Sequence, residues 1–356
     1  MRKRRGAPVR FWLAAALGAA GCSQPLAGNP APPGAWTVRS PMPTPRSLFG
    51  AGVIDGKLYA AGGFLDSAGF VVGTAVLEVY DPLSDEWTTK APMPHASGDM
   101  AVGVVNGILY AVGGQVAPQF ESPTFNYLQA YDPATDSWTA KAPMPTARRA
   151  LAVAVANGVL YAIGGQSDIV TGAMVPTVEA YDPATDSWST KAPMPTAREL
   201  LAAATVNGTI YAVGGFDGTS ALSVVEAYDP GTDQWSTKTA MPGGVVAPAA
   251  AAIGGTLYVI GGFDGASVTA TTGYDPSTAA WTAQAAMPTA REGVAAAVID
   301  SMLYAVGGES EAGTSSVTYL NANEVFSPGG TADVHPAAQR RPFSVPPGSS
   351  LSRNAP

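Results

Sequence analysis

The stretch Ala202-Ala203-Ala204-Thr205-Val206-Asn207-Gly208-Thr209-Ile210-Tyr211-Ala212-Val213-Gly214-Gly215 decides the fold. Two extended apolar runs flank Asn207-Gly208, and Asn-Gly is the strongest short-range hairpin signal because both turn positions need positive φ. The second run stops at a pair of glycines. Tyr228-Asp229-Pro230 and then Trp235 follow on further extended segments, so the unit reads as four short strands.

The same unit recurs. Glycine pairs stand at Gly62-Gly63, Gly113-Gly114, Gly164-Gly165, Gly214-Gly215, Gly261-Gly262 and Gly307-Gly308, in steps of 51, 51, 50, 47 and 46 residues. Trp36, Trp87, Trp138, Trp188, Trp235 and Trp281 advance in identical steps, a period that marks a repeat architecture. With 41 Gly and 31 Pro among 356 residues, a helix-rich chain is excluded. The net charge of -8 argues against nucleic acid as a partner, since phosphate binding needs a basic footprint. One Cys permits no internal disulfide, and two His leave little for a metal site, so neither metal nor cofactor is expected.

The double glycine, the Tyr before Asp-Pro and the Trp a few residues later resemble kelch repeats, in six copies over residues 35–328. The resemblance implies an all-β, six-bladed kelch-type β-propeller with four-stranded blades. Trp36 precedes the first glycine pair, whereas the last unit ends at Glu324-Val325-Phe326-Ser327-Pro328 with no Trp after it. The strand around Trp36 is therefore expected to complete the last blade and leave no open edge. Small-residue runs such as Leu151–Ala156, Ala249–Ile253 and Val294–Val298 suit strands crowded at the axis, with Tyr and Trp filling the wider wedge outside.

The spacings separate scaffold from variable parts. Ten residues after each Trp comes Arg46, Ser97, Arg148, Arg198, Val245 or Arg291, each 16 before its glycine pair. Glu78, Gln129, Glu179, Glu226 and Thr272 each precede the next Trp by nine. The segments between the glycine pair and that position run 14, 14, 13, 10, 9 and 15 residues, and in an antiparallel blade they share a face with the links between blades. That face is the expected functional one. Arg and Glu occur together (Arg46 with Glu78, Arg148 with Glu179, Arg198 with Glu226, Arg291 with Glu324) and are lost together in units two and five. Joint presence and absence reads as buried ion pairs, with a ring of cationic groups for an anion as the competing reading.

Ligand candidates are then Asp99, Arg149, Glu199 and Glu292 at the mouth of the axis, with Phe64, Asp66, Phe70, Phe120, Glu121, Phe125, Tyr127, Asp168, Glu309 and Glu311 on the longer loops. Aromatic groups over acidic ones suit a glycan or a cationic peptide, although Phe120, Phe125 and Tyr127 equally suit the packing of a long loop. Phe216-Asp217-Gly218 and Phe263-Asp264-Gly265 read as turn chemistry. Catalytic means are thin. The copper site of kelch-like galactose oxidase needs paired His and a Cys linked to Tyr, and here the histidines are His95 and His335, the Cys is Cys22. A non-enzymatic binder of protein or glycan is the first expectation. The alternative is a periplasmic sugar mutarotase or epimerase, similar to the kelch enzymes of sialic acid metabolism, with Glu199, Glu292 and Arg149 as its acid/base set.

The N-terminus, basic through Arg10 and apolar from Phe11 to Ala20, reads as a signal peptide over residues 1–21. Ala19-Ala20-Gly21-Cys22 resembles a bacterial lipobox, which implies a lipid on Cys22 and an outer-membrane, surface or periplasmic address. Cleavage removes five of the 19 basic residues and leaves 14 against 27 acidic ones, a net -13. Residues 22–34 read as a flexible tether and 329–356 as a disordered tail; a monomer touching the membrane only through its lipid is expected.

Overall fold

The computed structural model describes residues 34–117, 123–168, 173–311 and 317–329. Among these, six four-stranded antiparallel sheets are present, and their first strands touch in a closed cycle: Gly50–Ile54, Ala101–Val105, Ala152–Ala156, Ala202–Val206, Ala249–Ile253, Ala295–Ile299 and back to the first. This is a six-bladed propeller. Blade three shows the plan, with Ala152–Ala156, Val159–Ile163, Val178–Asp182 and Ser187–Lys191 side by side in chain order. Its first hairpin turns on Asn157 and Gly158, at φ 53° and 77°, as the Asn-Gly signal requires.

The ring closes as the displaced Trp36 implies. Ala35–Val38 pairs with Asn323–Ser327 in the register Ala35 to Ser327, Trp36 to Phe326, Thr37 to Val325 and Val38 to Glu324. Blade six thus takes three strands from one end of the repeat region and the fourth from the other.

Neighbouring blades are stitched at three radii. Just outside the first strands, the glycine pair of one blade docks on the next: Gly114 N–H donates to Arg148 O at 2.9 Å, Gly165 to Arg198, and Gly308 to Arg46 across the closure. Gly113, at φ 68°, lies so close that a Cβ there would stand 2.5 Å from the Arg148 carbonyl oxygen. In the wedges, apolar clusters shared by adjacent blades bury Tyr80, Tyr131, Tyr181, Tyr228 and Tyr274. At the rim, the indole of each of the six repeat Trp residues donates to a carbonyl of the preceding blade, as in Trp138 to Ala91 at 2.8 Å and, at the closure, Trp36 to Ala285 at 2.9 Å.

A carboxylate completes the rim in four blades. Asp136 accepts from the Tyr131 hydroxyl at 2.6 Å and from the Ala91 N–H at 3.0 Å, and Asp85, Asp186 and Asp233 do the same in their blades. Blade five has Ala279 at that position, in the same left-handed conformation at φ 56°. Asp tolerates this conformation better than Ala, and an acceptor there faces the Tyr274 hydroxyl and the Thr239 N–H. Ala279→Asp is expected to stabilise the protein by about 1 kcal/mol in thermal unfolding, and Tyr274→Phe should remove about half the gain. No rise in melting temperature would refute this account of the rim.

Candidate functional site

The four Arg–Glu pairs stand inside their blades. Arg46 and Glu78 approach to 2.6 Å, Arg148 and Glu179 to 2.7 Å, Arg198 and Glu226 to 3.0 Å, and Arg291 and Glu324 to 2.8 Å. Every one of these guanidinium groups is fully buried. Arg148 also donates to the Gly164 and Thr177 carbonyls at 2.9 and 2.8 Å, so its terminal nitrogens are engaged inside the blade, and its complete burial offers none of them to a ligand. Thr44, Thr146, Thr196 and Thr289 hydroxyls occupy the other carboxylate oxygen. Burial lowers the affinity of Arg46, Arg148 and Arg198 for their proton and takes Arg291 down to about 10, the paired carboxylate opposing it each time. Blade two replaces the whole triad: the Ser97 hydroxyl donates to Gly113 O at 3.1 Å, and the Gln129 amide oxygen accepts from the His95 N–H at 3.0 Å.

Just before each first strand, one residue per blade adopts a left-handed conformation: Leu48, Asp99, Ala150, Leu200, Ala247 and Gly293, with φ between 49° and 58°. Their backbones form a closed ring. Asp99 N–H donates to Leu48 O at 3.0 Å, Ala150 to Asp99 at 2.8 Å, Leu200 to Ala150 at 2.8 Å, Ala247 to Leu200 at 2.8 Å, Gly293 to Ala247 at 3.0 Å and Leu48 to Gly293 at 2.9 Å. With hydrogen-bonded neighbours about 5 Å apart, such a hexagon keeps its Cα atoms only about 5 Å from the axis. The ring residues and the first-strand residues after them line an axial cavity of about 150 Å³, whose lining side chains are apolar except for Asp99.

Around the ring the mouth divides in two. On one side Asp99 Oδ2 accepts from Gln115 Nε2 at 2.7 Å and from Arg149 Nη1 at 3.2 Å. Arg149 Nη2 donates to Gln166 Oε1 and stands 3.9 Å from Glu199 Oε2. Burial pushes the Glu199 carboxyl up to about 7, against the pull of Arg149 and with the help of Asp99. On the other side Val246, Ala247 and Phe263 pack with Leu48, Leu200 and Phe216. Glu292 and Glu309 lie buried between, where Glu309 Oε2 accepts from the Ser47 hydroxyl at 3.0 Å.

The longer loops build hairpins of their own over this mouth: Phe64–Ser67 with Phe70–Gly73 in blade one, Gln166–Asp168 with Ala173–Met174 in blade three, and Glu309–Glu311 with Val317–Tyr319 in blade six. Blades four and five, with the shortest loops, leave that sector low. Among the loop candidates, Phe70 is 53% exposed at a hairpin end, and Asp66 caps the turn beside it by accepting from the Gly69 N–H at 3.0 Å. Phe125, Tyr127 and His95 form a ladder, with ring centroids 4.8 and 4.2 Å apart and Tyr127 exposed. Phe64 is corrected from loop contact to core residue: it is buried, and its ring fills the space that a Cβ on Gly98 would need. Asp168 ends a hairpin strand paired to Ala173, Glu311 is half-buried in the blade-six hairpin, and Phe120 and Glu121 lie outside the described residues, as do Cys22, the rest of the tether up to residue 33 and the tail from residue 330.

The family model of the KLHDC2/KLHL20/DRC7 Kelch-repeats domain matches residues 100–308, more than half of the chain. The chain belongs to the kelch-repeat family. A Kelch motif matches residues 45–94 as well. Beta-scruin of Limulus polyphemus is 30% identical over 145 residues, which is 40% of this chain and 16% of beta-scruin. Kelch repeat and BTB domain-containing protein 12 of Homo sapiens is 32% identical over 126 residues, 34% of this chain and 20% of the relative. An F-box/kelch-repeat protein of Arabidopsis thaliana is 40% identical over 103 residues, 29% and 24% of the two. The chain thus spans less than a quarter of the length of these relatives. The solved structure of YjhT shares the fold with a TM-score of 0.68 at 16% identity, over 81% of this chain and 96% of YjhT.

In this kelch propeller the mouth offers buried carboxylates, one guanidinium and two amides, a set able to hydrogen-bond a polar group and to hold positive charge. Among the described residues, no group of three or more His, Cys, Asp and Glu is placed to hold a metal ion. The residues that sequence reasoning missed are Gln115 and Gln166. Each directly follows its glycine pair and bridges back to the residue after the Arg position, Gly98 and Arg149 respectively. The signal was there in that column, which reads Phe64, Gln115, Gln166, Phe216, Phe263 and Glu309 beside invariant glycines.

Proposed function

We propose that this kelch propeller is a non-enzymatic binding module that takes a protein or a glycan on the face carrying the inter-blade links and the long loops. One observation carries the reading: the extra hairpins and the Phe125–Tyr127–His95 ladder all rise on that face, around a mouth whose axis is constricted by backbone. A rigid scaffold with its variable loops on one side is how binding surfaces are built. The opposite face carries tight turns such as Asp132 accepting from the Ala134 N–H at 2.9 Å. The setting we propose is the bacterial envelope, with a monomer held by a lipid on Cys22; fatty-acid labelling that persists in Cys22→Ser would remove that part.

The test uses glycan and peptide arrays. Phe70→Ala with Tyr127→Ala should reduce the bound signal at least fivefold on whatever ligands register. Leu83→Ala, an exposed residue on the opposite face, should leave it unchanged. Equal losses, or none, overturn the reading. The second reading, a sugar mutarotase or epimerase, is favoured by the Glu199 carboxyl at about 7 beside Arg149, a value suited to proton transfer near neutrality. Acceleration of ring-form interconversion on a sugar panel, abolished in Glu199→Gln, would install it in place of the first.

A further inference from the structure

Among the described residues, blade six alone has no turn joining its third and fourth strands. In the other five, Asp81 and Glu86, Asp132 and Ser137, Asp182 and Ser187, Asp229 and Gln234, and Asp275 and Ala280 are the last paired residues before a tight turn. These turns make up the face opposite the long loops. Ser327 and Ala35 hold the same places in blade six, so both ends of the repeat region leave the fold side by side on that turn face. The exit is fixed by packing. Gly34, at φ 92°, lies so close to Phe326 that a Cβ on it would overlap the ring. A few residues on, the Ser40 N–H donates at 3.0 Å to Asp85, in the turn of blade one.

An anchor on Cys22 therefore pulls on the turn face. Twelve peptide steps separate Cys22 from Gly34. A coil of that length has a mean span of about 20 Å and a full stretch of about 40 Å. The second strand of blade one, Lys57–Ala61, and the hairpin strand Phe64–Ser67 beyond it set the hairpin tip roughly 30 Å from the turns. Laying the loop face on the bilayer requires the coil to carry the exit up by that height, a stretch that lowers its population on the order of tenfold. With the turn face down, the coil keeps its mean span. At about 20 Å the turn-face carboxylates, Asp132 among them, stand beyond the Debye length of about 8 Å at physiological salt. Charge then neither draws that face onto an anionic bilayer nor turns it away.

We propose that the propeller stands with its turn face towards the membrane that holds Cys22 and its loop face away from it, so that the loop face takes its partner from the aqueous side and not from the lipid headgroups of the anchoring bilayer. This orientation rests on the readings of a lipid on Cys22 and of the loop face as the binding surface.

The experiment uses two ways of holding the protein. Cys22 is the only cysteine and its sulfur carries the lipid, so one added cysteine takes one dye. Leu83→Cys marks the turn face and Phe70→Cys the loop face, at residues 75% and 53% exposed. The lipidated chain is placed in vesicles containing rhodamine-headgroup lipid. Separately, the chain from residue 22, with Cys22→Ser and a hexahistidine segment ahead of it, is held on nickel-chelating lipid in the same vesicles. Energy transfer should be at least twofold greater from Leu83→Cys than from Phe70→Cys in both arrangements. Anchoring should slow the reaction of a bulky polyethylene-glycol maleimide at least threefold at Leu83→Cys and leave Phe70→Cys within twofold of the free protein. Equal transfer, or more from Phe70→Cys, overturns the orientation whether or not the anchor stands. Asymmetry on nickel lipid with no fatty acid on the natural chain overturns the anchor, and the orientation with it, and leaves the loop-face reading intact. Untagged Cys22→Ser protein should not sediment with plain phosphatidylglycerol and phosphatidylethanolamine vesicles; sedimentation that Phe70→Ala with Tyr127→Ala abolishes overturns the aqueous partner.

Discussion

Arg148→Val alone is expected to destabilise the protein by about 3–5 kcal/mol, and adding Glu179→Thr to recover most of that loss. The single change strands the Glu179 carboxylate, 2% exposed, with only the Thr146 hydroxyl against it, and takes the Arg148 donor from the Gly164 carbonyl, whereas the Thr177 carbonyl keeps the Gly164 N–H. An uncompensated buried charge costs more than the pair contributes, so the second substitution restores by removing the liability. Blade five already lives this way, with Val245 and Thr272 in the two positions. A urea-unfolding double-mutant cycle measures the coupling, and a coupling near zero would mean that the pair is not a strut.

Removing residues 35–38 should have the larger effect, the loss of cooperative folding and the appearance of soluble or precipitated aggregates. The deletion leaves Asn323–Ser327 as an open edge and uncovers Phe326, whose ring packs 5.2 Å from Trp36 and 5.7 Å from Tyr258. An unpaired strand edge beside fresh apolar surface is an aggregation template. Trp36→Phe, which keeps the ring but loses the 2.9 Å bond to Ala285 O, should cost only about 1 kcal/mol. Size-exclusion chromatography with thermal melts distinguishes the two, and a monomeric deletion protein with an unchanged melt would show that closure contributes nothing.

What could be read from the sequence is what side chains announce. The glycine pairs are legible because Gly113 meets the Arg148 carbonyl at a distance no Cβ allows, so the residue type is forced. The displaced Trp36 is legible because Trp87, Trp138, Trp188, Trp235 and Trp281 each end a unit and it precedes the first one. The ring at Leu48, Asp99, Ala150, Leu200, Ala247 and Gly293 is not, because backbone hydrogen bonds impose a conformation without choosing a side chain, and these residues share nothing else. Phe64 misled for a related reason: a large ring at a loop position resembles a contact surface until the glycine at 98, one blade away, is seen to make room for it. The Thr44, Thr146, Thr196 and Thr289 hydroxyls escaped notice although each stands two residues before its Arg.

The pairing of Trp36 with Phe326 also sets a timetable. At roughly 5–20 residues per second, a ribosome needs on the order of 15–60 seconds to travel from the first partner to the second. Through that interval the indole segment has no native strand to pair with, and the circle stays unjoined however far the other blades have folded. Whatever escorts the nascent chain must keep that early segment apart from other copies doing the same, because a strand waiting for its own terminus would fit a neighbour's equally well.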